Sequence, residues 1–295
     1  MKIVITGGTG LIGRAVVERL IKREENFLVV LSRRPALVHH PRVKWCQMDL
    51  SQNVDSLDSL IESADCVIHG AAHLRHQVAG DFVASANLNF TFTTALFNKA
   101  TQCQAGKLIY LSGLNFLRKP LANVIDETHP VGPATPYALA KYWGEVALFR
   151  IAKGSQTVPI ALRITSPIPD SVDELPDTVI KKWVTSARQG LPITVFGQGS
   201  RKQDYVSTCD IAKAVDQSLT SNVSGVINVA SGSSISNMDV ARLIAARYDV
   251  ELLSVGEDLD EGCEWNVSIE KARSVLGYSP AKSSAECISS LILAE

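Results

Sequence analysis

Apolar and polar residues alternate in blocks along the first half of this chain. Short apolar runs predict β-strands, and the longer segments between them carry apolar residues at helical spacing. The predicted strands are 3–5, 27–31, 66–69, 108–111 and 160–162, and the predicted helices include 11–22, 82–100 and 136–151. Strands that alternate with helices are typical of a doubly wound parallel sheet covered on both faces. We therefore expect an α/β fold.

The pattern changes after Arg163, where prolines become frequent and the apolar runs become shorter. Helices are predicted over 178–188, 210–219, 237–248, 269–276 and 283–293, with short strands near 193–196 and 205–207. We expect a larger part over 1–165, to which 208–232 returns. A smaller C-terminal α/β part would then comprise 166–207 and 233–295.

A glycine-rich turn joins the first predicted strand to the first predicted helix, with the sequence Thr6-Gly7-Gly8-Thr9-Gly10-Leu11-Ile12-Gly13. Gly7 permits a tight turn, Gly10 lets a pyrophosphate approach the backbone, and Gly13 lets helix and strand pack closely. The N-terminus of the helix adds N–H donors and the positive end of its dipole. The turn predicts a dinucleotide-binding site, although any tight turn favours glycine.

Composition narrows the class of protein further. The chain is 46% hydrophobic and 20% charged, as globular proteins are, and its net charge of −1 offers no attraction for nucleic acid or an anionic membrane. No apolar run approaches the roughly 20 residues of a spanning helix, and the first residues do not resemble a signal peptide. Six scattered cysteines without a Cys-x-x-Cys pair indicate reduced thiols. We expect a cytoplasmic protein.

Tyr137 and Lys141 stand four residues apart in a predicted helix and so share one face. A free tyrosine has a pKa of about 10 and is a poor base at neutral pH. Lowering that pKa to about 7 requires roughly 4 kcal/mol, which a nearby ammonium and an oxidised nicotinamide would help to supply. Such a tyrosine could exchange a proton with a carbinol oxygen while a hydride moves. An ordinary surface pair is the alternative interpretation.

Together these features resemble the extended short-chain dehydrogenase/reductase family, in its NAD-dependent epimerase/dehydratase branch of nucleotide-sugar enzymes. Besides the glycine-rich turn and the Tyr137/Lys141 pair, the matching segments are Asp49-Leu50, His69-Gly70-Ala71-Ala72-His73, Leu108-Ile109-Tyr110-Leu111-Ser112, Gln203-Asp204-Tyr205-Val206 and Asn228-Val229-Ala230. The resemblance covers nearly the whole chain. It implies a Rossmann-type domain, a small C-terminal substrate domain, bound NAD or NADP, and a homodimer.

The resemblance also implies roles for single residues. Tyr137 would be the acid/base and Lys141 would hold the nicotinamide ribose. The expected cofactor-binding residues are Gly7, Gly10, Leu11, Ile12, Gly13, Arg33, Asp49, Leu50, Ala71, Ala72, Tyr137 and Lys141. Ser166 and Gln203 would contact the substrate, in places where the family carries an asparagine and an arginine.

Two departures from the family pattern leave alternatives open. The usual catalytic Ser or Thr falls at Gly113, so either Ser112 takes that role or Tyr137 works alone. Gln203 replaces the phosphate-binding arginine, and either Arg201 and Lys202 compensate for it or they belong to a solvated loop.

The second strand ends in Ser32-Arg33-Arg34, without the acid that NAD enzymes usually place there for the ribose hydroxyls. An arginine there could pair with a 2′-phosphate. We expect NADP(H) to be preferred over NAD(H); two surface arginines are the alternative interpretation.

A metal site is not expected. His69, His73 and His76 have a spacing that could serve zinc, but His69 ends a strand and no cysteine or carboxylate completes the set.

The leading hypothesis is an NAD(P)-dependent oxidoreductase acting at a secondary alcohol or ketone, as a nucleotide-sugar epimerase or 4-keto reductase. The alternatives are a carbonyl reductase for a non-sugar metabolite and a non-catalytic NADP-binding sensor or scaffold.

Overall fold

The structure is a computed structural model that describes residues 1–49, 57–72, 82–120 and 124–294, without the side chains of 82–88. Its strands are β1 (Lys2–Thr6), β2 (Phe27–Ser32), β3 (Val43–Gln47), β4 (Cys66–His69), β5 (Lys107–Gly113), β6 (Val124–Ile125), β7 (Val158–Ile164), β8 (Ser166–Ile168), β9 (Ile193–Phe196), β10 (Lys202–Ser207), β11 (Gly225–Val229), β12 (Ser234–Ser236), β13 (Leu252–Val255) and β14 (Asn266–Val267). Its α-helices are α1 (Leu11–Leu20), α2 (Asp58–Ile61), α3 (Phe82–Gln102), α4 (Pro136–Ala152), α5 (Val179–Arg188), α6 (Thr208–Thr220), α7 (Asn237–Tyr248), α8 (Glu270–Leu276) and α9 (Ser284–Leu293).

Seven parallel strands form the main sheet, in the order β11-β7-β5-β4-β1-β2-β3. The central strands are apolar on both faces because helices cover both. Ile3 and Ile5 pack with α1 and α6, whereas Val4 packs on the other face with α3 and α4. The expected doubly wound α/β fold is confirmed. The strand order reverses beside β1, and ligands of such sheets bind at the carboxyl ends of the strands flanking that point.

The C-terminal elements add a second core beside the main sheet. Helices α5, α7 and α9 surround Trp183, Val195, Tyr205, Ile244 and Leu291. The strand β11, in contrast, pairs with β7 and extends the main sheet. Strand β10 pairs with β8 on one side and β12 on the other, which puts residues from distant parts of the sequence side by side.

Several elements differ from the sequence prediction. Strand β3 was not predicted, because Lys44 and Gln47 interrupt its apolar pattern and the strand lies at the edge of the sheet. Helix α1 ends at Leu20 rather than at residue 22. No helix in the described part of the chain is both long and apolar enough to span a membrane.

Candidate active site

The glycine-rich turn is shaped by close packing, which is against backbone atoms at its first and last glycines. Gly7 has a φ of +78°, and a Cβ there would lie 2.7 Å from the Ala71 nitrogen. A Cβ on Gly13 would lie 2.1 Å from the Gly7 oxygen. At Gly10, a Cβ would lie 3.2 Å from the Gly7 oxygen, which is a tight contact without overlap. Gly7 and Gly13 are thus required by the fold, whereas a Cβ on Gly10 would be crowded but not excluded.

The first turn of α1 keeps its backbone donors available. Gly10 is the N-cap of α1, and no side chain in the described part of the chain caps this end. Uncapped N–H groups together with the helix dipole make a ready anion site. The turn lies against Ala71, whose N–H donates to the Thr6 Oγ1 at 3.3 Å. The half-buried Ala72 follows, so both predicted alanines lie at the carboxyl end of β4.

His69 is a structural residue of this edge. Its ring nitrogens lie 2.7 Å from the Thr6 Oγ1 and 3.0 Å from the Thr93 Oγ1. Burial lowers the pKa of His69 well below its usual value, so the ring is neutral. His73 and His76 lie outside the described residues. Among the residues that are described, no three potential metal ligands cluster.

At the end of β2, the Ser32 hydroxyl lies 2.8 Å from the Thr9 Oγ1 and accepts from the Arg34 N–H at 3.0 Å. The side chains of Arg33 and Arg34 are exposed, and neither forms an ion pair within the described ranges. Asp49 is half-buried and lies just beyond β3, whereas Leu50 is outside the described residues.

Helix α4 is anchored so that its first turns meet the end of β5. The Thr135 hydroxyl accepts from the Ala138 N–H at 3.1 Å and caps the helix. Deeper along α4, the buried Glu145 carboxylate pairs with the Arg163 guanidinium of β7 at 2.8 Å. Gly144 allows close contact with β5, since a Cβ there would lie 2.5 Å from the Tyr110 hydroxyl oxygen.

Tyr137 and Lys141 lie on the same side of α4, and the Lys141 Nζ is 5.8 Å from the centre of the Tyr137 ring. The Lys141 Nζ donates to the Leu111 carbonyl at 2.8 Å. Burial lowers the pKa of Lys141 to about 8, opposed by the Glu145 carboxylate. Burial raises the pKa of Tyr137 to about 12. In the protein without cofactor, desolvation of the phenolate thus outweighs the Lys141 ammonium. The expected lowering of the tyrosine pKa also counts on a bound oxidised nicotinamide, so it stays a prediction.

A cavity of about 370 Å³ collects predicted residues from five parts of the chain. Its wall includes Ile12, Ser112, Tyr137, Ser166 and Gln203. A second cavity, of about 350 Å³, also borders Ser166 and Gln203, so the two adjoin.

The remaining polar residues of the wall differ in how they are held. The Ser112 Oγ is buried and has no hydrogen-bond partner in the described structure. Arg201 borders both cavities and pairs with Asp260 at 3.0 Å, whereas the Lys202 Nζ pairs with Glu264 at 2.9 Å. Arg201 therefore borders the space where a substrate would lie, whereas Lys202 lines neither cavity.

Three residues that line the first cavity were not predicted as site residues from the sequence: Asn115, Thr165 and Trp265. Asn115 could have been predicted, because it follows Gly113 by two positions. Trp265 could not, because it reaches the cavity from a distant part of the chain.

The model of the NAD dependent epimerase/dehydratase family matches residues 3–230. The chain belongs to this family. The matched range contains Tyr137, Lys141, the glycine-rich turn and the wall residues Ser166 and Gln203. The uncapped end of α1 fits the dinucleotide on which the enzymes of this family depend.

Proteins that are similar to this chain are named for more than one reaction. The dTDP-glucose 4,6-dehydratase of Streptomyces niveus is 22% identical over 95% of this chain and 88% of that protein. The UDP-glucose 4-epimerase of Thermotoga maritima, solved with UDP-glucose, has a TM-score of 0.86 at 20% identity, covering 100% of this chain and 98% of that one. The UDP-glucuronic acid 4-epimerase of Bacillus cereus, solved with UDP-glucuronic acid and NAD, also gives 0.86, at 22% identity and the same coverage. These structural likenesses show a shared fold.

Proposed function

We propose that the protein is an NAD(P)(H)-dependent oxidoreductase that acts at a secondary alcohol or ketone of a nucleotide sugar, as a 4-keto reductase or a 4-epimerase. The observation that carries this proposal is the cavity shared by Ile12 of the glycine-rich turn and Tyr137 of α4. A substrate there would meet the proton donor and the cofactor site together. The proton-transfer role of Tyr137 belongs to this proposal.

Reduction of a ketone needs a proton donor at the reacting oxygen. With its pKa raised to about 12, Tyr137 carries its proton at neutral pH and can donate it to a carbonyl oxygen. When bound, NAD(P)(H) would supply or accept the hydride, which no protein side chain can do. Lys141 would hold the ribose and add positive charge beside the phenol. Of the three catalytic candidates, Ser112 has the weakest support, because its Oγ is shielded from solvent.

The two adjoining cavities support an elongated, anionic substrate. The sugar would lie by Tyr137, and the diphosphate would extend past Ser166 and Gln203 towards Arg201, which borders both cavities. Arg201 keeps donors beyond the one that meets Asp260. In the same proposal, NADP(H) is preferred, since Arg33 and Arg34 are exposed beside the expected ribose position.

A homodimer is also proposed. Leu139 and Val146 are exposed apolar residues on α4, at 41% and 40%, and lie two turns apart on one face. Sedimentation of the full chain, compared with a Val146→Glu variant, tests this; a wild-type monomer contradicts it.

The activity is tested by mixing the full chain with NADPH and dTDP-, UDP- and GDP-linked 4-keto-6-deoxy sugars, and with UDP-glucose for epimerisation. We expect NADPH oxidation with a nucleotide 4-keto sugar or interconversion of 4-epimers. Turnover of a non-sugar ketone, with none on this panel, would overturn the nucleotide-sugar assignment.

A further inference from the structure

The end of β5 lacks a side chain at the position where a catalytic hydroxyl was expected. Gly113 has an ordinary backbone conformation, so a side chain there is not excluded by strain. A Cβ built on Gly113 would lie 3.2 Å from the Asn115 Oδ1, with the Ile164 carbonyl oxygen next at 3.8 Å. The Asn115 carboxamide therefore borders the space that a serine at this position would use.

Asn115 is also available to a ligand. Its side chain is exposed, lines the same cavity as Tyr137, and makes no hydrogen bond to any other residue that the structure describes. The neighbouring Ser112 differs, because its Oγ is shielded from solvent. Between the two candidates, Asn115 is the one that a molecule in the cavity can reach.

A carboxamide suits an oxygen that changes between ketone and alcohol. Its NH₂ group donates to a carbonyl oxygen, and its own oxygen accepts from a hydroxyl. A donor aimed at an oxygen on which negative charge develops lowers the barrier, and removing one such donor typically costs about 10²–10³ in rate. No proton needs to leave Asn115 for this role, since Tyr137 supplies it.

We propose that Asn115 is a further substrate-contacting residue, which hydrogen-bonds the reacting oxygen beside Tyr137 in place of the hydroxyl absent at Gly113. This inference rests on the proposed function, since it needs a substrate whose oxygen lies near Tyr137.

The test compares Asn115→Ala, Asn115→Asp and Ser112→Ala with the double variant Gly113→Ser/Asn115→Ala, using the nucleotide 4-keto sugar that the panel identifies and NADPH. We expect kcat to fall about 10²-fold in Asn115→Ala. The Asn115→Asp variant keeps the shape of the side chain but loses its N–H donors, so its kcat should fall as far. The double variant should have a kcat at least about tenfold higher than that of Asn115→Ala, because removing the carboxamide makes room for a serine hydroxyl. The kcat of Ser112→Ala should fall less than that of Asn115→Ala.

Controls separate a contact with substrate from a fault in folding. The dissociation constant of NADPH and the melting temperature should stay unchanged in both Asn115 variants. Asn98→Ala, an exposed asparagine on α3 outside the cavity wall, should keep the full kcat.

Three contradicting outcomes are distinguishable. Full activity in Asn115→Ala, while Tyr137→Phe is inactive, would overturn the inference and leave the proposed function intact. Full activity in Tyr137→Phe, or no turnover on the whole panel, would overturn the proposed function itself. A larger loss in Ser112→Ala, with no recovery in the double variant, would assign the contact to Ser112.

Discussion

Gln203 donates a hydrogen bond from its Nε2 to the Ser166 Oγ over 3.0 Å, although the two residues are 37 positions apart. They come together because β8 and β10 pair in parallel. Both also border the two adjoining cavities. The residues expected to contact the substrate therefore form one polar pair where the cavities meet.

Gln203→Ala should raise the KM for the nucleotide sugar about tenfold, the value of one or two hydrogen bonds, with kcat nearly unchanged. Ser166→Ala should act in the same direction and less strongly, since Gln203 remains. Steady-state kinetics at saturating NADPH checks this. A fall in kcat with KM unchanged would remove the pair from substrate binding.

Tyr137→Phe should lower kcat about 10³-fold, because the ring keeps its packing while the proton donor is lost. The NADPH dissociation constant and the melting temperature should stay near those of the wild type. Tyr142→Phe is the matched control, since this half-buried tyrosine of α4 packs against Phe116. Equal activity of the two variants would refute proton transfer by Tyr137.

Cofactor affinity should weaken as pH rises through about 8. The pKa of Lys141 is lowered to about 8 by burial, so its ammonium is present below that pH and lost above it. A bound cofactor phosphate or ribose would favour the charged form. Fluorescence titration of NADPH between pH 6.5 and 9.5 measures the change. The Lys141→Met variant should bind NADPH more weakly at every pH and should show no change in affinity near pH 8. If the variant shows the same change in affinity, the change belongs to another titrating group.

Arg33→Ala should raise the NADPH dissociation constant about tenfold and leave that of NADH unchanged, because a charge-assisted pair is worth roughly 1.5–3 kcal/mol. Arg150→Ala, which removes an exposed arginine of α4, serves as control. NADH binding as tight as NADPH binding, unaltered by Arg33→Ala, would contradict the preference.

We expect no 4,6-dehydratase activity, despite the dehydratases among the relatives. The family resemblance implies that a dehydratase carries two acids directly after the catalytic threonine, where this chain has Leu114 and Asn115. The next acids are held elsewhere: the Asp126 Oδ1 accepts from the Thr128 N–H at 2.8 Å, and the Glu127 Oε1 accepts from the Asn228 N–H at 2.8 Å. Mass spectrometry after incubation with dTDP-glucose, GDP-mannose and UDP-GlcNAc decides this, since a product lighter by one water at a catalytic rate contradicts it.

The sequence by itself determined what depends on neighbours along the chain. Local apolar spacing, together with Gly7, Gly10 and Gly13, predicts a strand, a turn and a helix in succession. Tyr137 and Lys141 share a face because four residues make about one helical turn. The same local signals failed at β3, where an edge strand needs no continuous apolar run.

Only the tertiary structure decided which distant residues meet and how burial changes their chemistry. The contact of Ser166 with Gln203, and the cavity that Trp265 shares with Tyr137, follow from strand pairing and packing between distant segments. The spacing of Tyr137 and Lys141 in the sequence could not predict the direction in which the Tyr137 pKa shifts. That direction depends on how much hydration the phenol loses and on how near the Lys141 ammonium lies, and the packing of α4 on β5 sets both.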